Sequence, residues 1–122
     1  MSAKGMVAAG DFQTANAAAE ILRSGGNAFD AVLAGMFAST LAEPVLSSLG
    51  GGGFLMAKPA QGSPVLYDFF AQTPKIKKTD VDFKPILADF GTVTQEFHIG
   101  LGSIAMPGMV KGAFEIHRDL GT

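Results

Sequence analysis

Two helical patterns occupy the first third of the chain. Small and aliphatic residues recur at helical spacing in the first of them, at Ala15, Ala18, Ala19 and Leu22. Asp11 or Thr14 can cap its start, and the pair Gly25-Gly26 can end it. The pattern therefore predicts a helix over residues 14–24, preceded by a short strand or extended entry at residues 5–10.

A second helix is predicted from Asn27, which can act as N-cap, with Asp30 near the positive end of the helix dipole. Its bulky positions are Phe29, Val32, Leu33, Met36, Phe37, Thr40 and Leu41, and its small positions are Ala28, Ala31, Ala34, Gly35, Ala38 and Ala42. We expect both faces to be covered in the complete fold, with a neighbouring backbone against the small face. Pro44 ends the helix.

The middle of the chain changes to an apolar pattern typical of strands. Residues 52–58 and 64–70 predict an antiparallel hairpin, and the second strand is apolar on both faces, so helices should pack on each face. Residues 74–91 are interpreted as a polar connector, followed by a third strand at 101–106.

The last element is a predicted helix that starts at Pro107 and ends near Gly121. Its apolar stripe is predicted at Val110, Ala113, Phe114 and His117. The order helix, helix, strand, strand, strand, helix indicates a layered α/β sandwich.

Composition excludes several classes of function. The chain has 122 residues, a net charge of −2 and 16% charged residues, so no basic surface for nucleic acid is expected. It has no cysteine, which excludes disulfides and thiolate metal ligands. The longest apolar stretch, 31–42, is too short to span a bilayer, and no apolar signal-type segment follows Met1. We therefore expect a cytoplasmic protein without a membrane partner.

Candidate catalytic and cofactor motifs fail on their context. The run Gly50–Gly53 is followed by a strand and no Gly-Lys-Ser/Thr, which argues against a phosphate loop. His98 and His117 lack companion ligands at zinc-site spacing, and Ser47-Ser48 lacks a nucleophile-elbow sequence. The sequence thus predicts no cofactor, no metal site and no catalytic residue within these positions.

Several motifs in a fixed order resemble the N-terminal part of the gamma-glutamyltransferase family, and together they span nearly the whole chain. They are Ala9 to Leu22, Gly25-Gly26-Asn27-Ala28-x-Asp30-Ala31, Glu43-Pro44, Gly50 to Phe54, Tyr67-Asp68-Phe69, Pro107-Gly108-x-Val110-x-Gly112, His117 and Gly121-Thr122.

The resemblance implies the N-terminal part of an N-terminal-nucleophile hydrolase αββα sandwich, with helices packed on a mainly antiparallel sheet. Residues 1–122 would be a single partial domain from the large subunit of a precursor that cuts itself in two. Its partners would be the rest of that subunit, the small subunit, and a small-molecule gamma-glutamyl amide such as glutathione or a related amide. The nucleophile would be a threonine beyond Thr122, with its own α-amine as base.

One position departs from the family pattern. The family has an arginine and a glutamate where this sequence has Phe70 and Ala71, and that arginine holds the α-carboxylate of the gamma-glutamyl donor. A phenyl ring cannot replace a guanidinium that binds a carboxylate through two hydrogen bonds. Phe70 is therefore a candidate substrate-binding position. Either another residue binds the donor carboxylate, or the substrate is a different amide.

Two alternatives stand beside a gamma-glutamyl enzyme. One is an acylase-like amidohydrolase with a different acyl substrate. The other is a structural or binding domain without catalysis, which uses the same layered core. By itself the 122-residue chain is predicted to be inactive, because the resemblance places the nucleophile, its base and the oxyanion hole outside it. It is also predicted to self-associate as a homo-oligomer, because its strands would keep unpaired edges and apolar surface.

Overall fold

The computed structural model describes residues 5–76 and 78–122. The first four residues, where the absence of a signal segment was inferred, and Lys77 lie outside that description. The elements are α1 (Phe12–Ser24), α2 (Ala28–Ala42), β1 (Phe54–Ala57), β2 (Val65–Asp68), β3 (Lys84–Asp89), β4 (Thr94–Ile99), a short 3-10 helix (Leu101–Ser103) and α3 (Met109–Leu120). Residues 5–9 form no strand.

The chain divides into two compact units. The first unit contains the residues up to Ala71 together with Pro107–Thr122, and the second contains Gln72–Met106. The first unit therefore holds all three α-helices and the hairpin β1–β2, and the second holds the hairpin β3–β4.

Helices α1 and α2 pack through their small residues, as predicted. Ala18 and Ala31 are buried, and a Cβ built on Gly35 would lie 3.6 Å from the carbonyl oxygen of Thr14. Small side chains allow this approach of the two helices. The bulky residues of α2 are divided, since Leu33 is buried whereas Leu41 is exposed.

The core of the first unit lies where α2 and α3 meet one face of the hairpin β1–β2. Leu33, Ala113 and Ile116 are buried there, and partly buried apolar residues complete the cluster: Met36, Leu55, Tyr67 and Phe69. Strands β1 and β2 are antiparallel, with Phe54 opposite Asp68 and Ala57 opposite Val65. The other face of the hairpin is exposed at Phe54, Met56, Leu66 and Phe70. The prediction of helices on both faces is thus met on one face only in the part of the chain described.

Helix α3 begins and ends close to the predicted residues but turns a different stripe inward. Its N-cap is Gly108, so Pro107 precedes the helix, and Gly121 ends it. The buried residues are Met109, Gly112, Ala113 and Ile116, whereas Val110, Phe114 and His117 are exposed. Ala113 is therefore buried as predicted, whereas Val110, Phe114 and His117 were wrong because the prediction followed bulky residues. The small residues Gly112 and Ala113 allow the helix to approach the hairpin closely.

In the second unit two predictions were wrong. Part of the supposed connector 74–91 forms β3, which pairs antiparallel with β4 from Lys84 opposite Ile99 to Asp89 opposite Thr94. The missed signal is the turn after Asp89, whose carboxylate accepts a hydrogen bond from the Gly91 N–H at 2.8 Å, with Gly91 at a φ of 86°. The predicted strand 101–106 is instead a 3-10 helix and one bridge between Met106 and Gln72.

None of the helices within residues 5–76 and 78–122 is long and apolar enough to cross a membrane.

Candidate functional site

Asn27 and Asp30 form a capping box at the start of α2. The Asn27 Oδ1 atom accepts hydrogen bonds from the N–H groups of Phe29 (2.7 Å) and Asp30 (2.9 Å). In return, Asp30 Oδ2 accepts from the Asn27 N–H at 2.9 Å. Orphan donors of the first helical turn are thus satisfied by two side chains of the motif.

The same two residues also hold the end of α3. The Asn27 Nδ2 group donates to the Leu120 carbonyl at 2.7 Å. The Thr122 hydroxyl donates to Asp30 Oδ2 at 2.6 Å, and the Thr122 N–H donates to Oδ1 at 3.2 Å. These donors, the Thr122 hydroxyl first, lower the pKa of Asp30 below its ordinary value of 3.8. The motif therefore joins the start of one helix to the end of another.

At the other end of the helix pair, Glu43 links α1 to the turn that follows α2. Its carboxylate accepts a hydrogen bond from the hydroxyl of Thr14, a buried polar residue of α1, at 3.0 Å. Its carbonyl accepts from Leu46 at 2.9 Å and Ser47 at 3.0 Å, which closes the turn after Pro44. The Thr14–Glu43 pair was not predicted, because nothing local marks two residues that are 29 positions apart as partners.

The glycine run ties α3 to the hairpin β1–β2. The Gly51 carbonyl accepts hydrogen bonds from the N–H groups of Gly108 (3.0 Å) and Met109 (3.1 Å), which lie at the start of α3. A Cβ on Gly52 would lie 2.5 Å from the Phe69 carbonyl oxygen and 2.6 Å from the Ala71 nitrogen. The run is thus a place of close backbone approach, in agreement with the interpretation against a phosphate loop.

Phe70 lies two residues after the end of β2, next to this crowded segment. The residue is 52% exposed, and its ring stacks on Phe54 with ring centroids 5.4 Å apart and an interplanar angle of 10°. The Phe70 N–H donates to Asp68 Oδ1 at 3.1 Å. The substrate-binding role expected for this position stays a prediction. What the structure describes there is an apolar, half-exposed aromatic pair.

Neither arginine of the sequence lies at this position. Arg23 in α1 pairs with Glu20 at 2.9 Å, and Arg118 in α3 pairs with Glu115 and Asp119. These carboxylates raise the pKa of Arg118.

The histidines and serines considered as candidate chemistry are dispersed. His117 Nε2 lies 4.0 Å from Asp30 Oδ1 at the helix junction. His98, in the second unit, stacks on Phe83 with ring centroids 4.1 Å apart. The Ser47 hydroxyl accepts a hydrogen bond from Ser39 at 2.8 Å, and Ser48 Oγ accepts one from the Gly50 N–H at 3.1 Å. Within the described ranges no three His, Cys, Asp or Glu side chains are grouped to hold a metal ion.

Comparison with known proteins gives the same family as the motifs. The gamma-glutamyltranspeptidase family model matches residues 14–122. The chain is 36% identical over 118 residues to the glutathione hydrolase proenzyme of Pseudomonas aeruginosa, covering 96% of this chain and 20% of that protein. It is also 35% identical over 124 residues to the acylase ACY 1 proenzyme of Pseudomonas sp. strain V22, covering 98% of this chain and 22% of that protein.

Solved structures support the fold. The chain is similar to a gamma-glutamyltranspeptidase from Pseudomonas nitroreducens complexed with L-DON, with a TM-score of 0.72 and 31% identity. That likeness covers 97% of this chain and 34% of the other. The Helicobacter pylori gamma-glutamyltranspeptidase gives a TM-score of 0.78 at 25% identity, over 100% of this chain and 34% of that one. The predicted α/β fold class, part of an N-terminal-nucleophile hydrolase, is thereby confirmed.

The chain spans about a fifth of the length of the curated relatives named above. Since the family model nevertheless matches all but the first 13 residues, this chain belongs to the gamma-glutamyltranspeptidase family.

Proposed function

We propose that the full-length protein containing this chain transfers or hydrolyses amides through a threonine acyl-enzyme. The threonine hydroxyl attacks the amide carbonyl, the C–N bond breaks, an ester forms, and the hydroxyl proton leaves with the amine. Water or a second amine then takes the acyl group from the ester. The observation that carries this proposal is the family match over residues 14–122.

This chain contributes scaffold to that reaction, and its nucleophile is supplied from elsewhere in the precursor. The Asn27–Asp30 cap and the Gly51 carbonyl fix the two ends of α3 against α2 and the hairpin. The proposed partners are therefore the rest of the large subunit and the small subunit of the same precursor. The relatives' printed names, which call them proenzymes, support that arrangement.

A gamma-glutamyl compound such as glutathione is the first substrate class we propose. Support comes from the similarity to a glutathione hydrolase proenzyme at 36% identity.

An acylase with an apolar acyl group is the second candidate, and Phe70 favours it. The Phe54–Phe70 stack offers an apolar surface, whereas a donor carboxylate needs a charge-assisted partner when it is desolvated. Similarity to the acylase ACY 1 proenzyme extends over 98% of this chain.

The experiment is a comparison of two chromogenic anilides with the full-length, self-cleaved protein. A gamma-glutamyl anilide tests the first substrate class, and a phenylacetyl anilide tests the second. Turnover of the phenylacetyl anilide alone would reject gamma-glutamyl specificity. Inactivity on both anilides despite self-cleavage would contradict the proposed function, and the isolated 122-residue chain serves as the inactive control.

A further inference from the structure

The Phe69 side chain is clamped between α3 and the glycine run. Its ring packs against the core of Leu33, Ala113 and Ile116. A Cβ on Gly112 would overlap that ring, and one on Gly53 would lie 3.2 Å from it. Phe69 is therefore held from two sides by residues that have no side chain of their own.

The backbone of residues 69–71 is held even more closely. A Cβ on Gly52 would lie 2.5–2.8 Å from three backbone atoms, the Phe69 oxygen, the Phe70 carbonyl carbon and the Ala71 nitrogen. A Cβ on Gly108 would overlap the Phe69 carbonyl. Backbone atoms cannot move aside as the end of a flexible side chain can, so a side chain at either glycine must displace this segment.

The position of residue 70 follows from that of residue 69. Adjacent side chains in an extended segment point to opposite faces, so the Phe69 ring in the core directs the Phe70 ring outward. There it stacks on Phe54 across the hairpin. A displacement of the 69–71 backbone therefore changes where the side chain of residue 70 lies.

We propose that Gly52 and Gly108 are positioning residues that set acyl-group selectivity through the side chain of residue 70. This inference rests on the proposed function, in which the Phe54–Phe70 stack offers an apolar surface to the acyl group. The two glycines act together, because the Gly51 carbonyl binds the Gly108 N–H at 3.0 Å and so joins the two segments.

The test compares Gly52→Ala with Gly50→Ala in the full-length enzyme. A Cβ on Gly50 meets only the Ser48 hydroxyl, at an ordinary 3.6 Å, so this variant is a matched control two residues away. The readout is the ratio of kcat/KM for the gamma-glutamyl and phenylacetyl anilides. We expect Gly52→Ala to change that ratio about tenfold, mainly through KM, and Gly50→Ala to leave it within about twofold.

A merely structural role would lower kcat for both anilides in the same proportion and leave both KM values unchanged. A double-mutant cycle with Phe70→Ala separates the positioning role from the structural role further. In a Phe70→Ala background, Gly52→Ala should no longer change the ratio, because the side chain through which it acts is gone. An unchanged ratio for Gly52→Ala, or the same change with and without Phe70, would overturn the inference.

If Gly52→Ala does not fold, Phe69→Leu provides the same readout, since it removes the ring that anchors the segment. Unchanged selectivity in Phe69→Leu would then overturn the proposal. Failure of the wild-type enzyme on both anilides would refute the proposed function and this inference with it. Turnover by the wild type, together with an unchanged ratio of kcat/KM in the variant, would refute this inference alone.

Discussion

The side-chain amide of Asn27 donates a hydrogen bond to the Leu120 carbonyl at 2.7 Å, across 93 positions of sequence. The same side chain caps α2, so one residue serves two helices. This double use explains why an amide suits this position: its oxygen accepts from the α2 backbone while its nitrogen donates to Leu120, whereas a carboxylate has no proton to donate.

The first prediction concerns Asn27. We expect Asn27→Ala to lower the free energy of unfolding by about 2–3 kcal/mol, the sum of a lost N-cap and a lost hydrogen bond. Asn27→Asp keeps the cap but cannot donate to Leu120, so about half of that loss should remain. Urea unfolding measures both, with Asn16→Ala, a substitution in α1, as the control. An Asn27→Asp variant as stable as the wild type would contradict a role for the Leu120 contact.

The second prediction concerns the acid stability of the helix junction. The pKa of Asp30 in the folded chain lies below its unfolded value, so its contribution is present above the unfolded pKa and is lost as pH falls through the folded pKa. The stability advantage of the wild type over Asp30→Asn should therefore shrink as pH is lowered from 7 to 3. Thr122→Val removes the hydroxyl donor and should weaken the same dependence. Urea midpoints at several pH values measure this, and a constant difference would disprove it.

The third prediction compares two glycines within helices. A Cβ on Gly35 would make ordinary contacts at 3.6–3.8 Å, so Gly35→Ala should stabilise the fold by about 0.5–1 kcal/mol through helix propensity. Gly112→Ala gains the same propensity but drives its Cβ into the Phe69 ring, and should destabilise by about 1–3 kcal/mol. Thermal unfolding of the two variants decides this, and effects of the same sign would contradict the packing described.

The sequence predicted elements where local chemistry is sufficient. Helices α1 and α2 have caps, stops and a helical period within a few residues of each other, and the hairpin β1–β2 has two apolar runs close in sequence. The buried face of α3 was predicted correctly at Ala113 and wrongly at Val110, Phe114 and His117. The burial of Gly112 was missed because a glycine gives no apolar signal, and only the approach of Phe69, more than 40 positions away, explains it. The hairpin β3–β4 was missed because Lys84, Pro85 and Asp89 make β3 look polar.

The fourth prediction tests the face of α3 that is buried. Ile116 is 0% exposed, and Ile116→Ala should cost about 2–5 kcal/mol. Phe114 is 70% exposed, so Phe114→Ala should cost less than about 1 kcal/mol although it removes a larger side chain. Denaturant unfolding of both variants measures the difference. A larger loss of stability for Phe114→Ala than for Ile116→Ala would mean that Phe114 is buried, as the sequence indicated.

The last prediction concerns self-association of the 122-residue chain. Each described sheet has two strands, so every strand keeps one unpaired edge, and the outer face of β1–β2 exposes Phe54, Met56, Leu66 and Phe70. Such a surface favours association between copies. We therefore expect sedimentation to show oligomers at high micromolar concentration.

A double variant tests whether this face is responsible. Met56 and Leu66 are opposite each other in the hairpin, so Met56→Glu with Leu66→Lys places a cross-strand ion pair on the outer face and leaves the inner face unchanged. The double variant should sediment as a smaller species, whereas Val93→Lys on the other hairpin is the matched control. A strictly monomeric wild type would contradict the prediction, because it would mean that this chain completes its own core.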